Sequence, residues 1–446
     1  MCVKLPWFEV RPRALALAFI LLGALVGPSA ALGQKPGVTV TVGPAHADVI
    51  GSDNVALQKA IDRVAAAGGG TVIVKAGTYT LANTVRLTSH LTLRGEGPEK
   101  TVLKKIPGVT SKLALDASRT GMVATVEDAR GFAPGMGVTI LDKVSAWGWT
   151  PSIRTIVNIE GNTLHFDRLL HMNYSVKDQG EVFNTFPLLA GYDVEDVQVR
   201  DLTVDGNRAE SGILDGCLTG AIYFYHAKHA TLANCQARNY PGDGISMQSV
   251  DDPVVDHCEA YGNAQLGIHL GTYATRGIVR YCRAHGNGQD GLYLCWFVRQ
   301  TLYEGNQTWN NGLDGISLGH VDTDNIFIKN IIRGNARAGV FFRDEVEKLA
   351  AHRNTFEQNV IEDNGRPGAP GYAIWIKGET HDLKFISNTI RSHRHGDTVV
   401  QPVGIYIGPK ADFVTCERNA FVGDFEHQVV DESHGGHNQL AEHTGN

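Results

Sequence analysis

Gly244-Ile245-Ser246, Gly267-Ile268-His269, Gly291-Leu292-Tyr293, Gly315-Ile316-Ser317 and Gly339-Val340-Phe341 read as successive copies of one short strand. Their apolar residue recurs at 245, 268, 292, 316 and 340, with spacings of 23, 24, 24 and 24. It returns at Ile374 and Ile405, with extra residues in the intervening turns. Ten residues before the first five stand Cys235, Cys258, Cys282, Asn306 and Asn330; five before stand Tyr240, Asn263, Asn287, Asn311 and Asn335. Between these marks the chain alternates apolar and polar residues and is broken by Gly, Asn and Asp, which is a strand pattern without helical spacing. One such strand cannot bury its apolar side alone, so the copies must stack. Glycine, at 51 of 446 residues, exceeds the usual ~7%, and much of the excess follows this rhythm.

Stacking places equivalent residues ~4.8 Å apart, so inward side chains form ladders. Asn263, Asn287, Asn311 and Asn335 are expected to bond one another at a bend. Cys235, Cys258 and Cys282 are expected to be buried free thiols acting as small apolar residues. The states of Cys217, Cys295 and Cys416 stay open. A leucine-rich horseshoe lacks its consensus here, and a propeller needs blades of ~40 residues.

Working outward, Asp53 precedes a segment in which Val55, Ala60, Ile61 and Val64 form one apolar face, ended by Gly68-Gly69-Gly70. This predicts a capped amphipathic helix that covers the open end of the solenoid. Residues from about 121 to 187 break the rhythm and predict a small antiparallel β insertion carrying Trp147 and Trp149. The expected class is all-β: a single-stranded parallel β-helix over 50–423, followed by a polar tail over 424–446. Lys4, Arg11 and Arg13 precede an apolar run and the small residues Ser29, Ala30 and Ala31, the order of a secretory signal peptide over 1–31. The run is too short to cross a bilayer, and no later segment is long enough, so a secreted or periplasmic protein is expected. A net charge of −7 without a basic stripe excludes nucleic acid as the natural partner.

The helix followed by "GGGTVIVKAGTYTL", then "LTLRGEG" and "VRDLTVDGN", resembles the pectin-lyase-like right-handed β-helix superfamily, in particular the group of rhamnogalacturonase-type hydrolases, pectate-lyase-like proteins and uronan epimerases. The likeness covers most of the chain after residue 31. It implies an extended polysaccharide as partner and leaves the reaction open, because that superfamily hosts lyases, hydrolases, epimerases and non-enzymatic proteins.

Two outward columns follow from the alignment. The first is Ser246, His269, Tyr293, Ser317, Phe341, Trp375 and Tyr406; the second is Gln248, Gly271, Cys295, Gly319, Arg343, Lys377 and Gly408. Trp296, His320 and Asp344 lie just beyond. Phe341, Trp375, Tyr406 and Trp296 are candidate sugar-stacking residues, the alternative being that inserted loops cover them. Uronate β-elimination and C5 epimerisation both begin with loss of the C5 proton, which requires a base and a cation beside the carboxylate. Arg343 and Lys377, with His320, His269 and Tyr293, are the candidates for that work. A competing reading uses Asp290 and Asp314, with Asp243, as the acid and base of glycoside hydrolysis. "PGDG" at 241–244 resembles one element of such hydrolases, but their paired aspartates are missing at Gln265-Leu266, and Asp-Gly is an ordinary turn pair. No cofactor is demanded. Ca²⁺ remains an option, with Asp322, Asp324, Asp344 and Glu345 as oxygen donors. A non-catalytic carbohydrate-binding solenoid is the third reading.

Overall fold

A computed structural model describes residues 37–395, 398–441 and 444–445. The signal peptide expected at 1–31 lies outside them. Among the described residues the repeat builds three parallel sheets of fourteen, eleven and twelve strands, each coil adding one strand to each sheet. The register is the one the spacing predicts: Ile245, Ile268, Leu292, Ile316, Val340, Ile374 and Ile405 pair in one unbroken row. These residues are buried in the single core that runs through the coils.

Asparagine ladders close the bends. Asn263, Asn287, Asn311 and Asn335 each pass a side-chain N–H to the carbonyl oxygen of the next amide, and the row continues through Asn364 to Gln401. A second ladder runs from Asn306 through Asn330, Asn359 and Asn388 to Asn419. It takes over the position that Cys235, Cys258 and Cys282 hold in earlier coils; the Cys282 backbone N–H donates to Asn306 at 2.9 Å. All six described cysteines are free thiols.

The helix Asn54–Ala66 starts at Asp53, whose carboxylate accepts from the Ala56 N–H at 2.8 Å. It packs Ala56, Leu57, Ala60, Ile61 and Val64 on the first strands. Val55, expected on this apolar face, is exposed. Leu57 takes the buried place, because residues three and four apart, 57, 60, 61 and 64, share a face and 55 does not.

The insertion is a six-stranded antiparallel sheet from Thr110–Lys112 to Glu181–Phe183. Its separate core includes Val138, Ile140, Ile156, Leu164 and Val182. The described residues of 424–446, expected as a polar tail, add a last coil: His427–Asp431, Gln439–Leu440 and Thr444–Gly445 each pair with the preceding coil. The preceding strands would otherwise leave an open row of backbone donors and acceptors, and polar side chains that point outward do not prevent pairing.

Candidate active site on the eleven-stranded sheet

The first outward column forms as aligned, with Ser246, His269, Tyr293, Ser317, Phe341, Trp375 and Tyr406 in register. At its centre the strands Ile268–Gly271 and Leu292–Cys295 hold His269 and Tyr293 side by side, with ring centroids 5.1 Å apart at 82°. Asp243 is fully buried, with one oxygen 2.8 Å from His269 Nδ1 while the other accepts the Leu266 N–H. Burial pushes the His269 imidazole down, but the Asp243 hydrogen bond and charge, with the Cys295 thiol, outweigh it and raise its pKa to about 10. His269 is therefore a fixed imidazolium at neutral pH.

Arg343 reaches back from the end of the strand Ala338–Phe342. Its guanidinium lies 4.6 Å over the Tyr293 ring and donates to Ser317 Oγ at 3.0 Å and the Leu294 carbonyl at 2.7 Å. It also stands 3.3 Å from Asp322, whose carboxyl is pushed up to about 7 by burial against the pull of Arg343. Burial keeps the Tyr293 phenol protonated well above its ordinary range, with Arg343 opposing.

His320 completes the group. Its Nε2 is 2.8 Å from Glu345, its Nδ1 is 3.2 Å from Cys295 Sγ, and its ring stacks on Trp296 at 4.6 Å. Burial, then the Arg343 charge, lower its pKa to about 4, so it is a neutral base at neutral pH. Backbone strain borders the same place. Thr272-Tyr273, Trp296-Phe297 and His320-Val321, pairs in three successive coils, all have positive φ. None is glycine, and such conformations cost ~1–3 kcal/mol each and cluster at functional sites.

Other candidates fall elsewhere. Lys377 sits 5.2 Å over Trp375, away from Arg343's partners. Phe341 is 8% exposed, sandwiched by Arg337 at 4.3 Å and Trp375 at 5.0 Å, so it offers no open face. Trp296 is occupied by His320. Trp375 and Tyr406 are half-buried, and Tyr372 packs against both.

The aspartate column does structural work. Asp243, Asp290 and Asp314 each accept the backbone N–H of the next coil, from Leu266, Asp314 and Ala338. Asp314 is also bound by Arg337. Asp290 is pushed up to about 7 by burial and by the Asp314 charge. The four suggested calcium donors do not converge: Asp322 faces Arg343, Asp324 pairs with Arg353, Asp344 with Lys410 and Glu345 with His320.

Sequence reasoning missed Cys295, Ser317 and Gln248 as site residues, although all three stand in the aligned columns. Gln248 bonds Ser246 at 3.0 Å and approaches His269 at 3.4 Å. The spacing offers Glu345 only as an optional calcium donor and carries no sign that it holds His320.

Comparison with known proteins agrees with the architecture. The family described as "Right handed beta helix region" matches residues 191–296 and 220–390, and "Rhamnogalacturonase A/epimerase, pectate lyase-like" matches 39–164. The chain is a right-handed, pectin-lyase-like β-helix. Within that superfamily, it is 29% identical over 163 residues to mannuronan C5-epimerase AlgE6 of Azotobacter vinelandii, a match covering 28% of this chain and 18% of that protein. The chain thus spans under a fifth of this curated relative. Among solved structures, the A-module of that epimerase superposes with a TM-score of 0.58 at 16% identity, covering 88% of this β-helix and 95% of the module. PfbA, a surface adhesin of Streptococcus pneumoniae, superposes at 0.53 with 14% identity, covering 89% and 88%. An epimerase module and an adhesin share this backbone, so function must be argued from the side chains.

Proposed function

We propose that this protein is an exported enzyme that epimerises a uronic-acid-containing polysaccharide at C5, with Arg343, Tyr293 and His320 at the reacting unit. The observation that carries this reading is the meeting of a neutral histidine, a protonated phenol and a buried guanidinium on one strip of the sheet. Arg343 neutralises the substrate carboxylate and so acidifies the adjacent C5–H. His320, with Nε2 held by Glu345 and Nδ1 beside the Cys295 thiol and the Arg343 guanidinium, takes that proton on Nδ1 when the bound sugar displaces those contacts. Tyr293 returns a proton from its phenol to the opposite face of C5, and solvent exchange restores both groups. Configuration at C5 inverts as one C–H bond breaks and another forms, with no redox change and no glycosidic bond cleaved. The His269 imidazolium, anchored by Asp243, adds positive charge where the carbanion develops. The likeness to mannuronan epimerases supports the same substrate class.

The test is incubation with polymannuronate, polyguluronate and polygalacturonate in D₂O, with and without Ca²⁺. The expected result is deuterium at C5 with inversion, no ultraviolet absorbance from a C4–C5 double bond and no new reducing ends. Tyr293→Phe and Arg343→Gln should each lower the rate at least ~100-fold with circular dichroism unchanged. Absorbance would make the enzyme a lyase. Reducing ends without absorbance would move the chemistry to the aspartates. Silence in every assay would leave a binding solenoid.

A further inference from the structure

A pocket of about 400 Å³ lies where the antiparallel insertion meets the parallel sheet. Tyr223 and Tyr225 of its lining are in register with Ser246 and Gln248 of the sheet that carries the reacting group. Its floor includes Tyr223, which is in register with Ser246, then His269, then Tyr293. At ~4.8 Å per coil the pocket stands ~10 Å from His269 and ~14 Å from Tyr293 along the same column. One wall is aromatic, with Trp149 of the insertion and Tyr225 of the parallel sheet 5.2 Å apart.

The rest of the wall is cationic. Arg154 is 5% exposed, and its guanidinium donates only to the carbonyls of Ile153 and Leu169. No carboxylate pairs with it among the described residues. Burial and the nearby Arg168 lower its pKa to about 10, so it still carries its charge at neutral pH. A buried cation whose nearest acid, Asp167, acts on it only weakly and without a hydrogen bond is costly unless a ligand supplies a closer anion. Arg86 and Arg168 are exposed at the rim of the same pocket. Arg168 spends one N–H on the Ile153 carbonyl and has Asp167 only at 4.0 Å. Arg86 has no acid partner among the described residues. The one acid in the lining, Asp193, is 80% exposed and faces His226.

We propose that this pocket is a distal subsite for an acidic sugar unit of the same chain that reacts at Tyr293. Arg86 and Arg168 bind its carboxylate, Arg154 supplies the field behind them, and Trp149 and Tyr225 form one aromatic wall beside the ring. The proposal rests on the uronan reading above. The insertion thereby acts as a clamp that sets which unit of the polymer reaches the reacting group, and guanidinium forks suit carboxylates better than any neutral hydroxyl.

The test uses the full-length protein and uronic-acid oligomers of defined length, with affinity read by calorimetry and turnover by C5 deuterium uptake. The double variant Arg86→Gln/Arg168→Gln should weaken hexamer binding at least tenfold. Turnover of a trimer, too short to join pocket and Tyr293, should change less than twofold. Wild-type hexamer affinity should fall with salt more steeply than that of the variant. Equal loss of turnover for trimer and hexamer, or no loss of hexamer binding, overturns the subsite. Turnover of uronate with no dependence on these arginines removes the subsite and keeps the enzyme. Arginine-dependent hexamer binding without turnover keeps the subsite and removes the enzyme. Absence of any uronate binding by the wild type removes both.

Discussion

Replacing Asn311 by alanine deletes a middle rung of the ladder that runs from Asn263 to Gln401, and its cost can be worked out bond by bond. The Asn311 amide donates to the Ala284 carbonyl at 3.0 Å and to Asn335 Oδ1 at 2.9 Å. Its oxygen accepts from the Asn287 backbone N–H at 3.2 Å and from the Asn287 side-chain amide at 3.0 Å. The site is buried, so water does not replace the four bonds. At about 1 kcal/mol net for each bond, the loss is about 4 kcal/mol, larger than for most single substitutions. Equilibrium urea denaturation followed by circular dichroism measures it. Asn311→Asp sharpens the argument, since it keeps the acceptor for Asn287 and loses both donors when ionised. Burial raises the pKa of such a carboxyl, so the variant should recover stability as pH falls, where wild type does not. A loss under about 1 kcal/mol for the alanine variant, or an aspartate variant insensitive to pH, would falsify the view that the ladder, rather than the apolar core alone, fastens the coils.

Further outcomes follow from the site. Turnover should collapse as pH drops through about 4, where His320 gains its proton. The same group binds protons more readily in the unfolded chain, with an ordinary value of ~6.5. Its contribution to stability should therefore improve as pH rises from 4 to 6.5, which calorimetric melts of wild type and His320→Gln would separate. Asp290 behaves oppositely. Its folded value is raised to about 7, so its favourable contribution is complete below its unfolded value near ~3.9 and is lost as pH rises through 7. Asp290→Asn should thus be relatively more stable above pH 7 while keeping the acceptor for the Asp314 N–H; glycan turnover lost in a folded variant would return the chemistry to the aspartates. Thiol titration should find all six described cysteines unreactive in the native protein, Cys217 included because burial and then Asp215 hold its thiol protonated, and all reactive in urea. Melting temperatures equal with and without reductant would agree with six free thiols.

Local pattern alone determined the coil period, the register of the inward row, the asparagine ladder at the bend and the helix at the start, because a stack of near-identical coils turns sequence spacing directly into spatial contact. The same logic placed His269, Tyr293 and Arg343 on one face, since they fall in aligned columns. Only the folded chain could show that Asp243 anchors His269, that Glu345 holds His320, and that the aspartate column is spent on backbone N–H groups of the next coil. Those pairings depend on which way long side chains turn at the strand ends, and spacing carries no such information. The cationic pocket is further still from the sequence. Arg86 ends a strand of the parallel coils and Arg168 belongs to the insertion, and they meet because the antiparallel sheet packs beside the parallel one. Repetition makes contacts between coils legible, whereas a contact between the repeat and an interruption of it exists only in three dimensions.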